Sequence, residues 1–168
     1  MARRLAVVVP VLLLAPGCHR SPPVVKGPPV ETLVMHALSD DPATRRAATA
    51  MLMARHDPKA TALLSKHLTD DDPHHIIRAM NALVSIGDPR AVPGLIKLSR
   101  LTDPSFTPKV IQAIGLVGGH EAEAYLFTVE TGSRNPAVRA AAKAARSDLV
   151  ARRAARAGAQ ASSADRGG

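Results

Sequence analysis

Residues 72–96 read Asp-Pro-His-His-Ile-Ile-Arg-Ala-Met-Asn-Ala-Leu-Val-Ser-Ile-Gly-Asp-Pro-Arg-Ala-Val-Pro-Gly-Leu-Ile, and this stretch decides the fold. It holds two Asp-Pro pairs, Asp72-Pro73 and Asp88-Pro89. Asp is a favoured N-cap and Pro is favoured at the first helical position, so each pair predicts a helix start. Between them Ala79, Ala82, Leu83 and Ile86 stand at i, i+3, i+4 and i+7, the spacing of one buried helical face. Two helices joined by a tight turn are therefore expected here.

The pattern repeats along the chain. Asp41-Pro42, Asp72-Pro73 and Asp103-Pro104 are 31 residues apart, as are Asp57-Pro58 and Asp88-Pro89. In the third unit the second pair is replaced by Gly119-His120, and a fourth unit opens one residue late at Asn135-Pro136. In the first helix of each unit Ala48, Ala79, Val110 and Ala142 align, with Met51, Ala82, Ala113 and Ala145, and with Leu52, Leu83 and Ile114. In the second helix Leu64, Leu95 and Leu126 align, and Leu33 falls in the same column one period earlier. Ala60, Ala91 and Ala122 form a further column. A fixed period with recurring apolar columns predicts stacked units that complete each other's core. An unpaired second helix over residues 30–38 is expected to open the stack. About seven helices are expected over residues 30–156. Val138, Ala142, Ala145 and Leu149 against Arg139, Lys143 and Arg146 predict a closing helix with one face to the stack and one to water.

The Ala-Leu, Ile-Gly-Asp-Pro-Arg-Ala-Val-Pro and Leu-Ile elements of residues 72–96, with Asn135-Pro-Ala-Val-Arg139, resemble the HEAT-repeat family in its short form, often called PBS-lyase-type. The resemblance covers residues 30–150. It implies an all-α solenoid of antiparallel helical hairpins, with the second helices lining its concave side. Such solenoids mostly present surfaces to other molecules.

Composition agrees. The chain has 168 residues, 2% of them aromatic and none tryptophan. An all-β sandwich needs more aromatic and β-branched bulk, whereas small side chains suit closely packed helices. The solenoid is assigned to residues 30–157, and residues 158–168, rich in Ala, Ser and Gly, are read as a disordered tail.

The first 29 residues are read as targeting and tether. Arg3-Arg4 precedes an apolar run over residues 5–14, which has the length of a signal h-region and is too short to span a bilayer. The run ends in Leu14-Ala15-Pro16-Gly17-Cys18, which resembles a bacterial lipoprotein signal. The resemblance implies diacylglycerol on Cys18, cleavage after residue 17, and a cell-envelope location, anchored to membrane by lipid. An ordinary secretory signal that leaves a free thiol, or a cytosolic chain with an apolar start, are the other readings of the same residues. Cys18 is the only cysteine, so no intrachain disulfide can form. Residues 18–29 are rich in proline and predict a stiff spacer, roughly 3 Å per residue.

The net charge of +8 belongs to the two ends of the chain. Arg3, Arg4 and residues 134–168 account for it, while residues 18–133 carry as many acidic as basic side chains. The basicity therefore gives no reason to expect nucleic acid as a partner. A basic C-terminus lying on anionic lipid is a separate possibility that the tail raises.

No constellation for chemistry stands out. His74-His75 are adjacent on a helix start, so their side chains diverge by about 100°. His36 and His67 share a column but lack further ligands, and a metal site needs three or four. His74 and His75 are read as solvated turn residues and His36 and His67 as structural and partly buried, and no metal or cofactor is expected. Some di-iron HEAT-repeat hydroxylases repeat a His-Glu pair across units, whereas here His120-Glu121 occurs once. Bilin-attaching enzymes also carry such repeats. An accessory role of the hydroxylase-like or bilin-lyase-like class is thus the alternative function. The first reading is a non-enzymatic, monomeric module that binds or scaffolds another protein.

The surface then carries the function. On the second helices the columns Lys59-Arg90-Glu121, Lys66-Lys97-Thr128 and Thr69-Arg100-Thr131 point away from the core. Five basic residues, Lys59, Lys66, Arg90, Lys97 and Arg100, are expected to share one groove edge facing an acidic or extended partner. Tyr125, the only tyrosine, is grouped with them.

Overall fold

The computed structural model describes residues 27–165, and every regular element among them is helical. In chain order these are α1 (Val30–Ala37), α2 (Pro42–Arg55), α3 (Pro58–Lys66), α4 (Pro73–Ile86), α5 (Val92–Leu101), α6 (Thr107–Val117), α7 (His120–Gly132) and α8 (Pro136–Asp165). Two short 3-10 turns, His67–Thr69 and Pro89–Ala91, follow α3 and precede α5. There are thus eight α-helices among the described residues, against the seven or so expected: the opening helix, three pairs and the closing helix. Cys18 and the apolar run before it lie outside the described residues.

The helices form two layers. α2, α4, α6 and α8 pack successively in one, and α1, α3, α5 and α7 in the other. The expected all-α solenoid is what the structure contains. The pairing is shifted by half a period, however. α1 packs along α2, α3 along α4, α5 along α6 and α7 along α8, so α1 is not left unpaired. α6 and α7, separated only by Gly118 and Gly119, also pack together, so both pairings are present in the third unit.

Three Asp-Pro pairs start helices as expected. Asp41 accepts from the Thr44 amide at 2.8 Å, Asp57 from the Lys59 amide at 2.8 Å and Asp72 from the His74 amide at 2.8 Å. The other two behave differently. Asp88-Pro89 opens a 3-10 turn and α5 begins only at Val92. Asp103-Pro104 forms a turn, with the Phe106 amide donating to the Asp103 carbonyl at 2.9 Å, and α6 begins at Thr107. A second proline explains both. Pro93 and Pro108 stand four residues after Pro89 and Pro104, where each lacks the N–H that a helix would need and its ring meets the carbonyl four residues back. The α-helix therefore begins with the second proline in its first turn, one residue before Pro93 and Pro108, instead of at the first.

First helices end alike. His56, Gly87 and Gly118, one period apart, have φ of 49°, 67° and 77°. Glycine enters this region without steric cost, and His56 is the one non-glycine residue that does so among the described residues. Arg45 and Arg139 also play matching parts. Arg45 Nη1 donates to the Ser39 carbonyl at 2.8 Å, and Arg139 Nη1 donates to the Ser133 carbonyl at 2.9 Å. Each clamps the loop before its own helix, which accounts for the arginine of Asn135-Pro-Ala-Val-Arg139.

The columns form the core. Leu33, Leu64, Leu95 and Leu126 are buried, as are Ala60, Ala91 and Ala122, and Ala48, Ala79, Val110 and Ala142. Val138, Ala145 and Leu149 bury the inner face of α8. Met51 is the exception: its column-mates Ala82, Ala113 and Ala145 are buried, while Met51 is 46% exposed. That column turns each first helix toward the preceding one, and α2 has none before it among the described residues. α6 and α8 approach closely at Gly115, where an added Cβ would lie 2.7 Å from the Ala145 Cβ.

At the C-terminus the helix does not stop at Gly158, where the sequence reading places the tail. α8 continues to Asp165. One glycine in an alanine-rich helix costs only about 1 kcal/mol relative to alanine, which the flanking residues offset.

Candidate interaction surface

Among the described residues the histidines do not gather with other ligands at one point. His36 is exposed, contrary to the expected partial burial. His67 Nδ1 and His75 Nδ1 each lie 3.3 Å from the same oxygen, Asp70 Oδ2. The His67 contact, then the Asp72 amide and the His75 contact, hold the Asp70 carboxyl below its ordinary range. This knot ties the loop between α3 and α4 to the first turn of α4. Among the described residues no group of three His, Cys, Asp or Glu side chains is placed to hold a metal ion. His120 and Glu121 are both exposed at the start of α7.

The outward face of the second-helix layer is regular. Residues at i, i+3, i+7 and i+10 are exposed in three successive helices: Lys59, Ala62, Lys66 and Thr69 on α3, with its 3-10 extension; Arg90, Pro93, Lys97 and Arg100 leading into and along α5; Glu121, Ala124, Thr128 and Thr131 on α7. Across the layer these positions make rows. Ala62, Pro93 and Ala124 form a middle row of small side chains. Lys59 and Arg90 stand on one bank and Lys66 and Lys97 on the other, with Arg100 beyond Lys97. The sequence reading identified the banks and missed the row between them, although the same 31-residue period displays it.

The five basic residues separate into two kinds. Lys59 is paired with Glu31 of α1, and their mutual hydrogen bond raises the lysine's pKa and lowers the carboxyl's. Arg90 Nη2 lies 2.8 Å from Asp88 Oδ2, the carboxylate that also caps the turn. Burial pushes the Asp88 pKa up, but the Arg90 guanidinium and amide, together with the Thr61 hydroxyl at 2.8 Å, outweigh it and leave it lowered. Lys66, Lys97 and Arg100 are exposed and have no carboxylate partner among the described residues. The unneutralised charge therefore lies on one bank only.

Tyr125 sits elsewhere than the basic set. It is half-buried between α5 and α7, and its hydroxyl shares a hydrogen bond with Ser99 Oγ at 2.8 Å. Together with Ile111, Thr128, Val129 and Val138 it lines an open concavity of about 470 Å³. Thr128 links the two features, since it belongs to the Lys66-Lys97 row and opens on that concavity. The basic outer side of α8 is largely committed internally. Arg146 pairs with Glu130 at 2.7 Å and stacks over Phe127, and Arg153 pairs with Glu123 at 3.2 Å.

Residues 30–107 match the family model described as HEAT repeats, which spans α1 to the first residue of α6. No curated protein matches the chain. HEAT repeats are protein-interaction scaffolds, stacked helical units whose outward faces meet other proteins. With two layers of helices, a recurring leucine column and this match, residues 30–107 are HEAT repeats.

Proposed function

We propose that this protein is a lipoprotein of the bacterial cell envelope whose HEAT-repeat solenoid holds a protein partner on the face of its second helices. The carrying observation is that face: two exposed cations without carboxylate partners among the described residues, Lys66 and Lys97, stand in register, with Arg100 beyond them, on a stack whose core leucines are buried. The module acts by binding, not by catalysis, and needs no cofactor. Cys18 carries the membrane anchor, and the proline-rich residues after it hold the solenoid off the bilayer. Lipid chains contribute about 0.8 kcal/mol per buried CH₂, enough for stable anchoring when more than one chain is attached.

Two measurements test the reading. Cys18→Ala should abolish both palmitate labelling and membrane retention; equal labelling of wild type and variant would remove the anchor. A photo-crosslinking amino acid at Ala62, on the outward face, should give a discrete higher-mass product in intact cells. The same group at Gln112, exposed on the other layer, should not. Identical patterns from the two positions would remove the assignment of the binding face.

A further inference from the structure

Resting on that reading, we infer that the second-helix face takes a proline-rich, acidic segment of another protein in polyproline-II conformation, with carboxylates at i and i+3 over Lys66 and Lys97 and an apolar side chain at i+6 in the concavity beside Thr128. Spacing carries this assignment. Packed helices lie roughly 8–10 Å apart, so successive members of the row Lys66, Lys97, Thr128 are separated by about that distance. A polyproline-II helix has three residues per turn and rises about 3.1 Å per residue, so every third side chain returns to one face at about 9 Å. A β-strand returns every second residue, at about 6.6 Å, and loses register within two steps.

Width excludes an α-helix from the same place. Lys59 and Lys66 are seven residues apart on α3, so the banks stand about 10 Å apart along the helix axis. An α-helix with its side chains is about 10–12 Å across and would ride on the lysines without reaching Ala62, Pro93 and Ala124. A polyproline-II backbone is slimmer and presents proline rings to that small apolar row. Its extended form is also ordered before binding, which lowers the entropy lost on association.

Charge fixes which bank the carboxylates meet. Lys59 and Arg90 are already neutralised by Glu31 and Asp88, whereas Lys66, Lys97 and Arg100 are not. The end of the row then changes character. Thr128 replaces a third cation and opens on a concavity lined by Ile111, Val129 and Val138, beside the Ser99–Tyr125 hydroxyl pair. Two acidic positions followed by one apolar position is the order this surface presents.

The test uses the full chain and end-blocked, fluorescent peptides. The probes are Glu-Pro-Pro-Glu-Pro-Pro-Leu and its reversed order, because a polyproline-II ligand can dock in either direction. At least one should bind, and the double variant Lys66→Glu, Lys97→Glu should weaken it on the order of tenfold or more. The pair Arg46→Glu, Lys143→Glu, exposed on α2 and α8 of the other layer, should leave affinity within about twofold, which separates the row from general basicity. Inserting one proline between the two glutamates should also cost most of the binding. Thermal melts confirm that the variants stay folded, as substitutions at these exposed positions allow. Absence of binding by both probes, or unchanged affinity in the Lys66, Lys97 variant, overturns the proposal. So does equal binding of the inserted peptide, tighter binding of a helical peptide with glutamates at i and i+7, or transfer of the Lys66 and Lys97 dependence to anionic vesicles or to self-association. If those results occur while the Ala62 crosslink persists, the scaffold reading stands and only this ligand assignment falls.

Discussion

The two faces of the second-helix layer obey the same 31-residue period in different ways. On the inner face chemistry repeats with position: Leu33, Leu64, Leu95 and Leu126 are each 2% exposed or less, and Ala60, Ala91 and Ala122 are fully buried. On the outer face position repeats but chemistry does not: Lys66 and Lys97 give way to Thr128, and Lys59 and Arg90 to Glu121. The inner face is held constant by packing, because a buried site tolerates little change of volume. The outer face meets only water, so its variation is free to encode a partner. A buried column is therefore evidence of fold, and a change along an exposed row is evidence about binding.

The sharpest way to break this comparison is Leu95→Ala. Leu95 lies in the central unit with helices on both sides and is fully buried. Removing a buried leucine side chain typically costs about 2–5 kcal/mol, against about 5–15 kcal/mol of total stability for a domain of this kind. Denaturant melts should show a large fall in the unfolding midpoint. A shift no greater than that of an exposed substitution would mean that the leucine column is not the core.

A smaller effect is expected where the faces meet. Asp88 caps the turn before α5, and its Oδ2 accepts from the Thr61 hydroxyl, which is 1% exposed on the preceding second helix. Asp88→Ala removes the cap and strands that buried hydroxyl, a loss of about 1–3 kcal/mol. Thr61→Val in the same background should recover part of it, since the stranded group is then absent. Acid should act through the same carboxylates. The Asp41, Asp88 and Asp103 pKa values are lowered in the folded chain. A depressed carboxylate adds stability above its unfolded pKa, near 3.9, and that stability is lost as pH falls through the folded value. Melting temperature should therefore fall below about pH 4 and vary little from pH 5 to 7. A melting temperature that rises on acidification would contradict the cap assignments.

The period made the helices legible because N-cap chemistry is local: Asp41, Asp57 and Asp72 each act on amides two or three residues away. The burial pattern was legible because it follows from helical geometry. What the sequence concealed was relational. The delay at Asp88-Pro89 and Asp103-Pro104 depends on a second proline four residues on, a conflict between two correct local rules. Met51 has the right spacing for burial but no neighbour to bury it. The half-period shift of pairing is a relation between helices of neighbouring units, which no column displays. At the surface the basic residues were visible, but which of them are free was not. Glu31 reaches Lys59 from α1, a contact between helices that only the fold brings together.

The smallest predicted effect carries the most information about the register. Lys97 lies two residues after Leu95, about 200° around the same helix, so if one faces the core the other cannot. Lys97 is exposed and has no carboxylate partner among the described residues, so Lys97→Ala should change stability by about 0.5 kcal/mol or less. Its neighbour in kind, Lys59, does have a partner in Glu31, yet an exposed ion pair of this sort contributes only about 0–1 kcal/mol. Stability alone thus separates Leu95 from both lysines but barely separates the lysines from each other. Binding separates them. Lys97→Ala should weaken the acidic peptide while Lys59→Ala leaves it nearly unchanged, because the Lys59 charge is already neutralised by Glu31. Two melts and two titrations give four outcomes. A silent Lys97→Ala melt with weakened binding places the functional charge on the Lys66–Lys97 bank; a destabilised Lys97→Ala would show that the outer face of α5 is part of the core.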